Sequence, residues 1–232
     1  MSLHIFKTIA LAVALSAALV QPSMASTYTF DTLHFDGISA GAAANSDPTA
    51  LTHGISFDNA YYGAPVDANG DPVLDGNGDP ITTEAWRIDP TVSDPVTVED
   101  TGVQAWESAP SSPNALDARQ SPILLHFTGP VTLAGFSFTL PDSSFGTLGG
   151  SVVDFLDAAG QILGSLSFNE GNPLSTVSLS GGPILGIKDV ALASGTFYDN
   201  INISVVPAPA TLSLILAGLP GLLGFYSRRK TA

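Results

Sequence analysis

Short apolar runs, nearly all separated by turn chemistry, fill this chain at 28–31, 54–62, 85–88, 96–106, 123–128, 131–140, 152–157, 162–168, 184–193 and 198–205. They alternate in polarity or are rich in β-branched and aromatic residues, which suits strands with one buried face. Thr128-Gly129-Pro130, Asp157-Ala158-Ala159-Gly160 and Ser180-Gly181-Gly182-Pro183 are turn sequences that predict meander hairpins in the second half. No helical pattern is long enough for a βαβ crossover, so the sequence predicts an all-β sandwich or barrel. The 23 glycines and 17 prolines fit a fold of many turns.

The 232 residues divide into an N-terminal segment 1–25, a body 26–206 and a C-terminal segment 207–232. The body is large enough to bury one core of its own. All 21 acidic residues lie between Asp31 and Asp199, where only Arg87, Arg119 and Lys188 are basic, so three cations face 21 anions and the body carries a formal −18. Such a field repels phosphate backbones and anionic headgroups, which disfavours nucleic acid and peripheral membrane docking and leaves divalent cations, neutral glycans or basic partners. The absence of cysteine excludes disulfides, thiolate zinc sites and a cysteine nucleophile.

Residues 1–25 have the three parts of a secretory signal: a start carrying His4 and Lys7, an apolar stretch 9–20, and the small-residue pattern Ser23-Met24-Ala25. Signal peptidase is expected to cut before Ser26. A first transmembrane helix is the alternative, but the stretch is short and Gln21-Pro22 interrupts it. At the other end Val206-Pro207-Ala208-Pro209-Ala210 precedes an apolar stretch 212–226, then Arg228-Arg229-Lys230. A helix over 211–226 would be about 24 Å long, a marginal transmembrane span that the positive-inside rule orients with its basic end in the cytoplasm.

This tail resembles the PEP-CTERM sorting signal of Gram-negative bacteria that make extracellular polysaccharide, with Ala208 where that family usually has Glu. The resemblance implies processing by an exosortase, a membrane-embedded transpeptidase with a cysteine nucleophile. That enzyme would recognise Pro207 and Pro209, cut nearby, and pass the body to the cell surface or extracellular matrix after transient inner-membrane anchoring. A permanently anchored adhesin is the alternative. The order of motifs in the body, from Phe30-Asp31 through Gly54-Ile55-Ser56-Phe57 and the stretch 123–136 to Tyr198-Asp199-Asn200-Ile201, looks like the jelly-roll ectodomain of PEP-CTERM proteins, itself similar to galactose-binding-like carbohydrate modules.

Within the body, a tandem repeat places Asp67, Asn69 and Asp71, then Asp75, Asn77 and Asp79, at alternate positions. Such oxygens suit a Ca²⁺ ion, although Gly78 and Trp86 stand where an EF-hand needs its bidentate Glu. The alternative is a pair of type I′ turns at Asn69-Gly70 and Asn77-Gly78. Asp199, on the closing strand, is expected either to help ligate a structural ion or to cap a loop. Trp86 and Trp106 offer a platform for sugar stacking, against which stands ordinary core or cross-strand packing. Gly37-Ile38-Ser39-Ala40-Gly41 matches a nucleophile elbow and is the basis for an alternative reading as a hydrolase using Ser39. The Gly/Ala/Asn-rich residues that follow read as a flexible loop rather than the required helix. His34, His53 and His126 are too dispersed for metal-ligand spacing. His126, alternating between Leu125 and Phe127, is expected to face outward. The expectation is therefore a non-enzymatic exported protein.

Overall fold

The computed structural model describes residues 28–29, 32–100, 114–140, 151–168, 176–179 and 181–206; the signal and tail segments lie outside them. Residues Thr27–Val206 form one unit. Its strands are β1 (Tyr28–Thr29), β2 (Ile55–Gly63), β3 (Ala85–Ile88), β4 (Val98–Asp100), β5 (Asn114–Asp117), β6 (Ile123–Thr139), β7 (Ser151–Leu156), β8 (Ile162–Phe168), β9 (Thr176–Ser178), β10 (Ile184–Leu192) and β11 (Phe197–Val206). All belong to one antiparallel sheet whose main path runs β4-β5-β11-β6-β10-β7-β8, with β1 on β11, β2 and β9 on β6, and β3 on β2. The described helix is confined to a 3₁₀ turn, Ala44–Ser46, and a five-residue helix α1, Pro48–Thr52.

The organising element is β6, and it corrects the hairpin expected at Thr128-Gly129-Pro130. Residues 123–139 form a single strand, and those three residues are an exposed bulge within it. Opposite the bulge β10 advances from Ile187 to Asp189 while β6 advances from Val131 back to His126. Lys188 spans the gap and donates to the Phe127 carbonyl. Pro130, which has no N–H to offer a ladder, is accommodated because the bulge asks for none. Before the bulge β6 pairs with β2 (Phe57↔Leu125); beyond it β6 pairs with β11 (Ile203↔Phe136). The expected turn is thus a bulge past which β6 exchanges β2 for β11 while keeping β10.

The expected hairpin at Ser180-Gly181-Gly182-Pro183 is likewise absent. Both β9 and β10 run antiparallel to β6, at Phe138↔Val177 and Leu133↔Ile184, so they follow one another along it instead of pairing together. The Asp157–Gly160 turn does join a hairpin, β7 to β8. Strands β5 and β9 were not among the expected runs. The run expected over 96–106 is described only to Asp100, and Trp106 lies outside the described residues.

The core follows from alternation along these strands. Leu125, Phe127, Phe136, Phe138, Phe155, Ile187, Val190, Tyr198, Ile201 and Ile203 are buried in one cluster. Phe138 meets Phe168 at 5.2 Å and Tyr198 at 5.1 Å, both edge-on, and Phe136 meets Phe155 at 5.5 Å. The buried Tyr198 hydroxyl donates to Ala193 O at 2.9 Å, which removes the cost of burying it. A smaller cluster of Ala60, Leu124, Leu156 and Ala191 is covered by Trp86.

The loop 40–47, expected to be flexible, is held by side chains and leads into α1. The Asn45 amide acts as a strand surrogate, accepting from Phe57 N at 2.6 Å and donating to Phe57 O at 2.9 Å. Asp47 caps α1 through Ala50 N at 2.9 Å, with Pro48 in the first turn.

Candidate functional site

The two Asp-x-Asn-Gly-Asp units share one geometry. Asp67 Oδ1 accepts from the N–H groups of Asn69 at 2.8 Å and Asp71 at 3.0 Å, and Asp75 Oδ1 does the same with Asn77 and Asp79. Gly70 and Gly78 have φ of 83° and 89°, while neither asparagine has a positive φ. A type I′ turn needs positive φ at both central residues, so that expectation is replaced by a three-residue connection with glycine in the left-handed position. The amides that each Asp accepts hold its carboxyl below the usual 3.8; Asn69 leads at Asp67 and Asp79 at Asp75.

Pairing of Val66 with Pro72 and of Leu74 with Pro80 makes a three-strand meander in which residues 71–75 are the middle segment. The two turns therefore cap opposite ends of that segment, roughly 13 Å apart. Asp157 builds the same turn, accepting from Ala159 N and Gln161 N at 2.8 and 2.9 Å, with no second carboxylate. The geometry therefore needs no ion. Among the described residues no group of three or more His, Asp or Glu is placed to hold a metal.

The other expected residues lie apart from one another. Asp199 is buried at a bulge of β11, where Asn200 has φ 49° and donates its N–H to Asp199 Oδ1 at 2.7 Å. Asn200 Oδ1 in turn lies 2.6 Å from His34 Nδ1. Trp86 is half-buried; its indole N–H donates to Asp154 Oδ2 at 2.9 Å, and Tyr62 meets its ring edge-on at 5.7 Å. Ser39 is exposed in a bend that leads to the 3₁₀ turn, with its carbonyl accepting from Ala42 N.

Two groupings were not legible in the sequence. His126 does face away from the core, and there Nδ1 lies 2.6 Å from Asp189 Oδ1 and Nε2 lies 3.2 Å from Asp58 Oδ2. The imidazole thus bonds β6 to β10, and Asp58 of β2 lies beside its other nitrogen. Separately, Asn59, Asp94, Thr97, Asp117, Gln120 and Ser121 line much of an open cleft of about 470 Å³. Asn59 Nδ2 donates to Asp94 O at 2.8 Å, and Arg119 grips both Asp117 oxygens at 3.0 Å, which fixes two of the cleft's walls. Spacing could not have revealed either group, because their members lie on segments about 20 to 130 positions apart that only the strand register brings together.

The last described residues bear on sorting. β11 is an interior strand: Val205 pairs with Leu133 of β6 on one edge and with Tyr28 of β1 on the other, and Val206 is the strand's final residue. The sorting sequence begins there. Residues 205–230 match the family model of the PEP-CTERM protein-sorting motif. The PEP-CTERM motif implies an exported surface protein processed by an exosortase. Of the expected sorting residues, Val206 is described, while Pro207, Ala208, Pro209, Ala210 and the basic Arg228, Arg229 and Lys230 lie outside the described residues. No curated protein matches the chain, and neither does any solved structure. Among the described residues no helix is long and apolar enough to cross a membrane.

Proposed function

We propose that this chain is a non-catalytic protein of the cell surface or exopolysaccharide matrix of a Gram-negative bacterium, and that its body, a jelly-roll sandwich, holds neutral glycan in the cleft beside Asn59 and Gln120. The observation that carries the sorting half is the PEP-CTERM match over 205–230, which starts on the last two residues of the final strand. The ligand half is supported by the cleft's lining of amides, hydroxyls and carboxylates, groups that bind sugar hydroxyls, and by a −18 body that disfavours anionic ligands.

Fractionation of producing cells with and without their exosortase tests the first half. Tail-less protein should reach the surface or matrix fraction in the parent, and full-length protein should stay in the inner membrane without the enzyme; equal distribution would refute sorting. Retention of the exported protein on the producer's own neutral polysaccharide, weakened by Asn59→Ala with Gln120→Ala, tests the second. Equal retention of parent and variant would remove the cleft from the account.

A further inference from the structure

The chain enters β1 and leaves β11 at the same end of the sheet, because the two are antiparallel with Tyr28↔Val205 and Thr29↔Ser204. Residues 204 and 205 are consequently held from both sides, by β1 on one edge and by Gly135 and Leu133 of β6 on the other, while Val206 pairs with Thr132 of β6. Ile201 and Ile203, just upstream, are anchored in the core. Only residues 207–211 separate Val206 from the apolar stretch beginning at Leu212. Five residues span at most about 17 Å when fully extended.

An enzyme that works at the membrane on an extended substrate therefore has a very short free lead, unless β11 gives up its end. Strand β1 decides whether it does. It is two residues long and among the described strands pairs with β11 only, whereas β6 is paired on both sides of its bulge by β2, β9, β10 and β11. It also begins two residues after the expected signal-peptidase cut before Ser26.

We propose that β1 acts as a clasp that fixes where the tail is cut: with β1 seated, the exosortase reaches only bonds after Val206, and the mature protein keeps β11 whole. This rests on the exosortase reading above. In the step itself the peptide bond after the chosen residue breaks and its acyl carbon passes to the enzyme's cysteine sulfur as a thioester. The tail leaves as an amine carrying the proton, and water or an external amine then displaces the thiol.

The test uses the full chain in its producing cell, with intact-mass measurement of the released protein. The parent should give a C-terminus within 206–211. Tyr28→Pro with Thr29→Pro removes the N–H donors of β1 and should add shorter products ending upstream of Val206. An eight-residue Gly/Ser insertion between Val206 and Pro207, with β1 intact, should speed tail loss by lengthening the lead. A parent C-terminus upstream of Val206, an unchanged product set in the β1 variant, or an unchanged rate in the insertion variant would each overturn the clasp. Should the β1 variant fail to accumulate, the insertion variant decides alone. A parent chain still carrying Arg228-Arg229-Lys230 would instead overturn the sorting reading.

Discussion

Replacing Gly160 by alanine should cost far more than the same change at Gly78, although both glycines occupy the same position of the same turn. Their φ angles are 75° and 89°, so an L side chain at either meets the left-handed penalty of about 1–2 kcal/mol. At Gly78 nothing lies within 4 Å of the added Cβ. At Gly160 the Cβ would fall 2.2 Å from the Trp86 carbonyl oxygen and 3.5 Å from Ala85 Cβ. These are backbone and near-backbone atoms of β3, which is laddered to β2 at Tyr62↔Trp86 and hydrogen-bonded from Trp86 N to Gly160 O at 3.1 Å. Moving them adds an overpacking cost of about 1–3 kcal/mol, for a total of about 2–5 kcal/mol at Gly160. The Gly78 cost is confined to an exposed meander that can open without global unfolding. Equilibrium urea unfolding followed by tryptophan fluorescence should give a clearly lowered midpoint for Gly160→Ala and a nearly unchanged one for Gly78→Ala. Equal midpoints would show that β3 is not seated on the β7–β8 turn.

The turns led by Asp67 and Asp75 should titrate in acid. Their folded pKa values lie below 3.8, so the stability they contribute is complete above the unfolded value and is lost as pH falls through the lower folded one; the amide resonances of Asn69, Asp71, Asn77 and Asp79 should shift with midpoints below 3.8, and midpoints at or above it would refute the carboxylate-capped turn. Trp86→Phe keeps a ring over Leu124 and Ala191 but removes a donor from the buried Asp154, which retains Ser165 Oγ at 2.6 Å. The cost should be about 1–3 kcal/mol by chemical denaturation, and a neutral change would mean that this hydrogen bond contributes nothing net.

The strand content was legible because alternation is a local signal: runs such as 55–63 and 162–168 declare their pleat without reference to a partner. The topology was not, because one local sequence serves several purposes. Thr128-Gly129-Pro130 has the residues of a hairpin turn, yet the halves of β6 find better partners in β2, β10 and β11 than in each other. Asp157-Ala158-Ala159-Gly160 has similar chemistry and does turn. Asn114–Asp117 escaped notice because four residues are too few to show a period, and its pairing with Phe197 and Tyr198 is visible only in the register. At the sites, the sequence drew attention to the Asp-rich repeat, where the carboxylates of Asp67 and Asp75 accept the amides of their own turns. It passed over Asp58, Asp94 and Asp189, whose neighbours come from other strands.

The charge balance, which the sequence gives only as a total, acquires a direction from the structure. Each of the body's three cations is half-buried and bonded within the body. Arg87 donates to the carbonyls of Gly63 and Thr83, Lys188 to that of Phe127, and Arg119 binds Asp117 while lying 4.6 Å from the centre of the Phe197 ring. None of the three projects toward an incoming ligand, while Asp36, Asp67, Asp71, Asp75, Asp79, Glu84 and Asp94 are exposed. An anionic polysaccharide would meet that acidic surface with no lysine or arginine of the described body free to bridge it, and Coulomb repulsion at moderate ionic strength would oppose its approach. The charge therefore favours a partner of this domain that is neutral, is cationic, or arrives with its charge already neutralised by bound cations.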